Sequence, residues 1–310
     1  AVTAVVRFVD RNAMNRESAT LRKSISLVLG SGGARGYAHI GVIEELLAQG
    51  YEIRSIAGSS MGALVGGVYA AGKLDEFRDW TLGLARFDVF KLLDITMRGG
   101  GFIKGTRVIN RLREMVGDID IESLPITYTA VAVDLDAHRE VWFTRGSLFE
   151  AIRASISIPT IFRPHHYQGR LLVDGGLLNP LPVSPTLRDL TEATIAIDVN
   201  GVDESLEALP EQSLAEPMTP NATRRQLRRL GSWFAGGRGG QSPDPGFVEL
   251  FARSLDTVQE TITRLKLAAQ PPDLLISIPR NISTFYEFHR AREIIELGRR
   301  RTREALQRWV

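Results

Sequence analysis

The 310-residue chain contains no cysteine, and that absence closes several routes at once. It excludes disulfides, a thiolate metal site and a cysteine nucleophile, and it fits a reducing compartment. Long apolar runs are missing too. The longest, such as Ala63 to Gly72, have about half the length a bilayer span needs. No basic-then-apolar secretory signal opens the chain. It begins at Ala1 rather than Met, from which we expect that residues were removed upstream. Charge of one sign is also lacking. A formal net charge of +2 supplies no global basic field, so nucleic acid is not an expected partner. No acidic cluster has the spacing of cation ligands, and no metal or other cofactor is expected.

What is present is the composition of an ordinary globular protein, 44% hydrophobic and 24% charged. Residues 1–24 show no clear period and read as a lead-in, the stub of a removed segment. From 25 to 310 the chain reads as a single domain. Ser26 to Leu29 is an apolar strand running into Gly30-Ser31-Gly32-Gly33-Ala34-Arg35-Gly36. A helix follows with Ile40, Ile43, Leu46 and Leu47 on one face and Gly50 as its stop. Ile53 to Ala57 is the next strand, which completes a βαβ unit and favours a parallel sheet. Leu74 to Leu84, Thr106 to Val116 and Leu148 to Ser155 read as helices. Ile126 to Val133 and Glu140 to Thr144 form a hairpin pattern. Arg170 to Val173, Ala193 to Val199 and Leu274 to Ile278 are further strands. Helices from Phe247 to Leu267 and from Tyr286 to Arg308 close the chain. Only Gly201 to Gly246, rich in Gly, Pro, Ser and charge, looks like an insertion outside the core. Strands alternating with helices predict an α/β fold, a three-layer α/β/α sandwich around a mainly parallel sheet.

Two glycine-bounded loops invite chemistry. The Gly30 to Gly36 loop is not a dinucleotide fingerprint, because Arg35 stands where the third glycine should be. No P-loop pattern occurs anywhere. What remains is a row of bare backbone N–H groups at a helix N-terminus, the donors an oxyanion hole requires. The second loop is Gly58-Ser59-Ser60-Met61-Gly62, a G-x-S-x-G between a strand and a helix. Two readings stand for it: a nucleophile elbow that raises the Ser60 hydroxyl, or a glycine-serine loop that only makes a turn. A nucleophilic serine needs a base. Of the five histidines (His39, His138, His165, His166 and His289) only His289 follows the plausible acid Asp174, and it sits in a helical pattern. His39 reads as a packing or capping partner. A Ser-His-Asp triad is therefore disfavoured. Asp174 ends an apolar strand before Gly175-Gly176, and partial burial there would raise its pKa and make it a better base. Taken alone, Asp174-Gly175 also reads as a hairpin turn.

Together these elements resemble the patatin-like phospholipase family, in its bacterial and neuropathy-target-esterase-like branch. The chain carries a G-G-x-R-G block at Gly32-Gly33-Ala34-Arg35-Gly36 and the G-x-S-x-G elbow at Gly58 to Gly62. It carries an Asp-Gly-Gly block at Asp174-Gly175-Gly176 and an Ala-Ser-x-x-x-Pro segment at Ala154 to Pro159. Asn179-Pro180-Leu181-Pro182-Val183 matches the usual continuation. Two features depart from the pattern: Ser31 replaces a frequent glycine, and Gly201 to Gly246 matches nothing in it.

The resemblance implies a serine lipid acyl hydrolase of phospholipase, lysophospholipase or carboxylesterase type. Ser60 and Asp174 would form a dyad without histidine. Gly32, Gly33 and Arg35 would serve the oxyanion, and the substrate would be a lipid or acyl ester. Two alternatives share the fold: a non-catalytic lipid-binding or regulatory domain, and an acyltransferase using the same dyad. The segment Arg224 to Phe234 sets four arginines beside Trp233 and Phe234, which suits either an interfacial helix on anionic lipid or a solvated linker. The expected location is cytoplasmic, with peripheral contact at a membrane's inner face and this segment as a lid over the site.

Overall fold

The computed structural model describes residues 23–85, 106–159, 162–204 and 247–309. Most of the lead-in, and the Arg224 to Phe234 segment read as a lid, lie outside the described residues. The first strand, β1 (Ser24–Leu29), is buried along its whole length. That burial explains the apolar run Leu27-Val28-Leu29, while the buried Ser26 hydroxyl is satisfied by Asp189 and Thr191. It is flanked on both sides by parallel strands, β2 (Glu52–Ser59) and β7 (Ala193–Gly201). Beyond them lie β3 (Thr127–Asp134), parallel to β2, and β8 (Leu274–Pro279), parallel to β7.

Seven α-helices are found among the described residues. They are α1 (Ala38–Ala48), α2 (Met61–Ala70), α3 (Leu74–Leu82), α4 (Thr106–Val116), α5 (Leu148–Ser155), α6 (Phe247–Ala269) and α7 (Ala291–Trp309). The strand period of two sorts the sheet residues between two faces. Leu27, Leu29, Ile195 and Ile197 join a large apolar cluster with Ile40 and Ile43 of α1, Val65 of α2 and Ile294 of α7. Val28 and Ala196, one residue out of phase, enter a small cluster with Leu181 and Val183, against which Leu267 of α6 packs. Helices thus cover both faces of a mainly parallel sheet, as the alternation of strand and helix patterns predicts. None of the helices among the described residues is long and apolar enough to cross a membrane.

Three details differ from the sequence reading. Leu47 is 41% exposed although Ile40, Ile43 and Leu46 are wholly buried, so the inward stripe of α1 is narrower than expected. The last helix starts at Ala291, after a 3-10 turn over Phe288–Arg290, rather than at Tyr286. The third is a strand that the sequence did not announce, β5 (His165–Tyr167), paired antiparallel to β6 (Arg170–Asp174) through a Gln168-Gly169 turn in which both residues have positive φ.

The register around β3 is what builds the site. Val131 pairs with Ser59 of β2 on one side and with Trp142 of β4 (Arg139–Phe143) on the other. Ala132 pairs with Asp174 of β6 and with Val141 of β4. A strand residue has one neighbour on each edge, so β2 and β6 must share one edge of β3, end to end. Ser59 and Asp174, far apart in sequence, therefore stand opposite consecutive residues of the same strand.

Candidate active site

β2 ends at Ser59 and α2 begins at Met61, so Ser60 makes the whole reversal by itself. It does so at φ +55° and ψ −122°, a conformation L-residues avoid. Such a backbone costs on the order of 1–3 kcal/mol. The glycines on either side are needed for close approach. A Cβ at Gly62 would lie 2.0 Å from the Leu29 carbonyl oxygen, and one at Gly58 would lie 2.5 Å from the Ala63 nitrogen. The turn is pinned from behind. The Ser60 N–H donates to Ser155 Oγ at 2.9 Å, and that hydroxyl donates to the Val131 carbonyl at 2.6 Å.

Asp174 closes β6 and caps a 3-10 turn over Gly175–Leu177, so it is not the hairpin turn that D-G alone would predict. Its Oδ1 accepts the Gly176 N–H at 2.7 Å, and its Oδ2 accepts the Ser60 hydroxyl at 2.5 Å. Its own N–H donates to the Ser157 carbonyl at 3.0 Å. Gly175 follows directly, and its carbonyl accepts the Asn179 N–H at 2.9 Å. Burial pushes the Asp174 carboxyl up to about 7, against the opposing pull of the Ser60 and Gly176 hydrogen bonds. A carboxyl poised there is half ionised at neutral pH, unlike a free aspartate.

The Gly30 to Gly36 loop leaves the carboxyl end of β1, the strand next to β2. Most of its amides are spoken for. Gly30 donates to Ile197 O, Ser31 to Pro180 O, Ala34 to Phe285 O and Arg35 to Gly32 O. Gly32 and Gly33 have no amide acceptor among the described residues. Gly33 has φ +55° and shares a cavity with Ser60. The Arg35 guanidinium engages the loop itself: Nε donates to the Gly32 carbonyl at 3.2 Å and Nη2 to Asp256 Oδ1 at 3.1 Å. His39 is wholly buried, with Nε2 2.8 Å from the Gly30 carbonyl. Burial lowers its pKa to about 4, so the ring stays neutral and acts as a strut for the loop. No histidine stands between Ser60 and Asp174. His289 belongs to the 3-10 turn before α7.

The cavity over Ser60 has a volume of about 90 Å³ and includes Met61, Leu64, Phe77, Trp80, Leu112 and Phe288 among its walls. Among the described residues that line it, no side chain carries a charge. A larger hollow of about 310 Å³ beside Trp142 and Tyr167 includes neither Ser60 nor Asp174. Sequence reasoning missed two contributors. Asp256 and Gln259 of α6 touch the glycine loop from behind, and nothing local in their sequence marks them. The Ser155 and Ser157 contacts fall inside the Ala154 to Pro159 block, whose role the sequence left unstated.

Comparison with known proteins bears on the family of the chain. Residues 27–187 match the family model described as patatin-like phospholipase. An uncharacterized NTE family protein of Mycobacterium tuberculosis is 41% identical over 336 aligned positions, covering 91% of each chain. Neuropathy target esterase of Drosophila melanogaster is 33% identical over 190 residues, which cover 59% of this chain and 13% of that one. A weaker likeness, at 13% identity and a TM-score of 0.44, relates 93% of this chain to 67% of the chain in the crystal structure of VipD from Legionella pneumophila. The sequence matches alone carry the assignment: this chain belongs to the patatin-like phospholipase family.

Proposed function

We propose that this protein is a serine hydrolase of lipid acyl esters, with Ser60 as nucleophile and Asp174 as its base. The observation that carries the reading is the direct 2.5 Å hydrogen bond from Ser60 Oγ to Asp174 Oδ2, beside a cavity whose described walls are apolar and aromatic. The proton of Ser60 passes to Asp174 as Oγ attacks the ester carbonyl carbon. The carbonyl π electrons move onto oxygen, which the Gly32 and Gly33 amides, without an acceptor among the described residues, and the N-terminus of α2 stabilise. Collapse breaks the bond to the alcohol, which takes the proton from Asp174 and leaves the acyl group on Ser60. Water, deprotonated by Asp174, then attacks the acyl-enzyme. The fatty acid departs and Ser60 recovers its proton.

An acyl chain suits the cavity because its described walls offer aliphatic and aromatic contact and, among the described residues, no counter-charge. A phosphate or other charged head group would be desolvated there without a partner among the described residues, so the head group is expected to stay outside. Arg35, held between the Gly32 carbonyl and Asp256, shapes the donor loop rather than meeting the oxyanion itself.

The test is incubation with a chromogenic medium-chain acyl ester, with and without a serine-reactive fluorophosphonate, followed by product analysis. The expected result is release of free fatty acid, blocked by a single adduct that maps to Ser60. Fatty acid appearing mainly on an added alcohol would make the protein an acyltransferase. Neither turnover nor adduct would leave a lipid-binding domain.

A further inference from the structure

Helix α6 carries an unusual stripe. Asp256, Gln259, Thr263 and Lys266 are spaced by three, four and three residues, which places all four on one face. Gln259 and Thr263 are 4% and 6% exposed. This face supports the loops of the site through polar contacts, where an ordinary packing helix would present leucine or isoleucine. Asp256 Oδ1 accepts from Arg35 Nη2 at 3.1 Å, and Arg35 is itself 3% exposed. Gln259 Oε1 accepts the Ser31 hydroxyl at 3.2 Å, and a Cβ at Gly176 would lie 2.7 Å from Gln259 Nε2. Lys266 Nζ lies 2.7 Å from Glu140 Oε1, and Glu140 Oε2 accepts the buried Asn179 side-chain amide at 2.8 Å. One helix face thus touches the glycine loop through Asp256 and Gln259, and approaches the loop after Asp174 at Gly176 and, by way of Glu140, at Asn179.

Burying polar groups costs desolvation unless the partners are well placed, so this face trades apolar stabilisation for defined positions. The contact to Arg35 has a specific consequence. Arg35 Nε donates to the Gly32 carbonyl, which belongs to the same peptide unit as the Gly33 N–H. In a trans peptide those two groups point in opposite directions. A cation on the carbonyl therefore fixes the plane of the unit, and it also polarises the N–H into a stronger donor.

We propose that Asp256 is a positioning residue for acyl transfer: it fixes Arg35 on the Gly32 carbonyl and so aims and polarises the Gly33 amide. The proposal rests on the Ser60–Asp174 reading given above. Asp256 touches no reacting atom and acts only through Arg35. Removing an oxyanion donor outright costs about 10²–10³ in kcat, so loosening one is expected to cost roughly ten- to a hundred-fold. The loss belongs in kcat, because the amide meets charge that exists only in the transition state.

The experiment compares full-length wild type, Asp256→Ala, Arg35→Ala, the double variant and Ser254→Ala, a control on the exposed side of α6. The expected result is a kcat lowered roughly ten- to a hundred-fold in Asp256→Ala, with KM changed less than about two-fold and the pH dependence unmoved. The double variant should be no worse than Arg35→Ala alone, because both changes break one chain of contacts. A kcat at the wild-type level in Asp256→Ala, or additive losses in the double variant, overturns the proposal. Amide hydrogen exchange over residues 30–37 carries the same test without turnover. Protection there should fall in Asp256→Ala and hold in Ser254→Ala, and unchanged protection also overturns the proposal. If wild type hydrolyses nothing while the exchange result is as expected, the acyl-hydrolase reading has failed and the positioning has not.

Discussion

The body of the sheet and its carboxyl edge are built by opposite rules. In the body, β1 is paired along both edges and fully buried, and the side chains of Leu27, Ile195 and Ile43 lie in one apolar cluster. A few residues further on, the rules reverse. Ser60 holds a strained backbone, Asp174 is a carboxyl kept out of water, and the Gly32 and Gly33 amides lack acceptors among the described residues. Each of these would be removed by a sequence selected only for stability. They persist because the core beneath offsets them and the register of β3 forces Ser60 and Asp174 together. Strain and desolvation at the edge are therefore the expected signature of chemistry, and their removal should cost activity while raising stability.

The largest test of that contrast is at the edge. Ser60→Ala is expected to lower kcat by about three to six orders of magnitude, and Asp174→Asn nearly as much. Ser59→Ala, next along the chain, and His289→Ala should retain most activity in an ester-hydrolysis assay. Equal loss in Ser59→Ala and Ser60→Ala would reverse the assignment. In the body the opposite holds. Ile43→Ala, at a site with no exposure, should cost about 2–5 kcal/mol in denaturant unfolding. Its activity per folded molecule should stay close to wild type, and a large loss would show that edge and body are not separable.

Asp174 links the two regimes through pH. The folded carboxyl keeps its proton up to about 7, against an ordinary value of 3.8, so the folded state binds more protons in that window. Stability from this group is complete at low pH and is lost as pH rises towards 7. Asp174→Asn should therefore be more stable than wild type at pH 8, by on the order of 2–4 kcal/mol, and the gain should vanish near pH 4. Thermal or urea melts at the two pH values measure this, and a constant difference would contradict it. The smallest effect is at the elbow. Ser60→Gly should be about 1 kcal/mol more stable than Ser60→Ala, with turnover abolished in both, because both lack the bond to Asp174 and only glycine tolerates positive φ. Equal stability of the two would show that the elbow is unstrained.

How much of this the sequence carried depends on how local each feature is. The α5 helix, the apolar strands and the strand–Ser60–helix turn are contiguous patterns and were legible as such. β5 was not, because His165–Tyr167 has no strand pattern of its own and is held by pairing with β6. Asp174 was legible as a strand end before two glycines, yet its approach to Ser60 is a property of β3, which aligns β2 and β6 end to end. Asp256 and Gln259 were invisible for the same reason. Their meaning lies in what a distant helix touches, and α6 follows Ser31 and Arg35 by more than two hundred residues.

The most direct measurement is the pH dependence of nucleophilic attack by Ser60, followed as the rate of its phosphonylation by a fluorophosphonate in wild type and in Asp174→Asn. The account predicts a wild-type rate that rises about tenfold per pH unit in acid and levels off near 7, where the buried carboxyl is half ionised. It also predicts that this limb disappears, with most of the rate, in Asp174→Asn. A rate that is flat between pH 5 and 9, or a profile that survives the loss of Asp174, would contradict it.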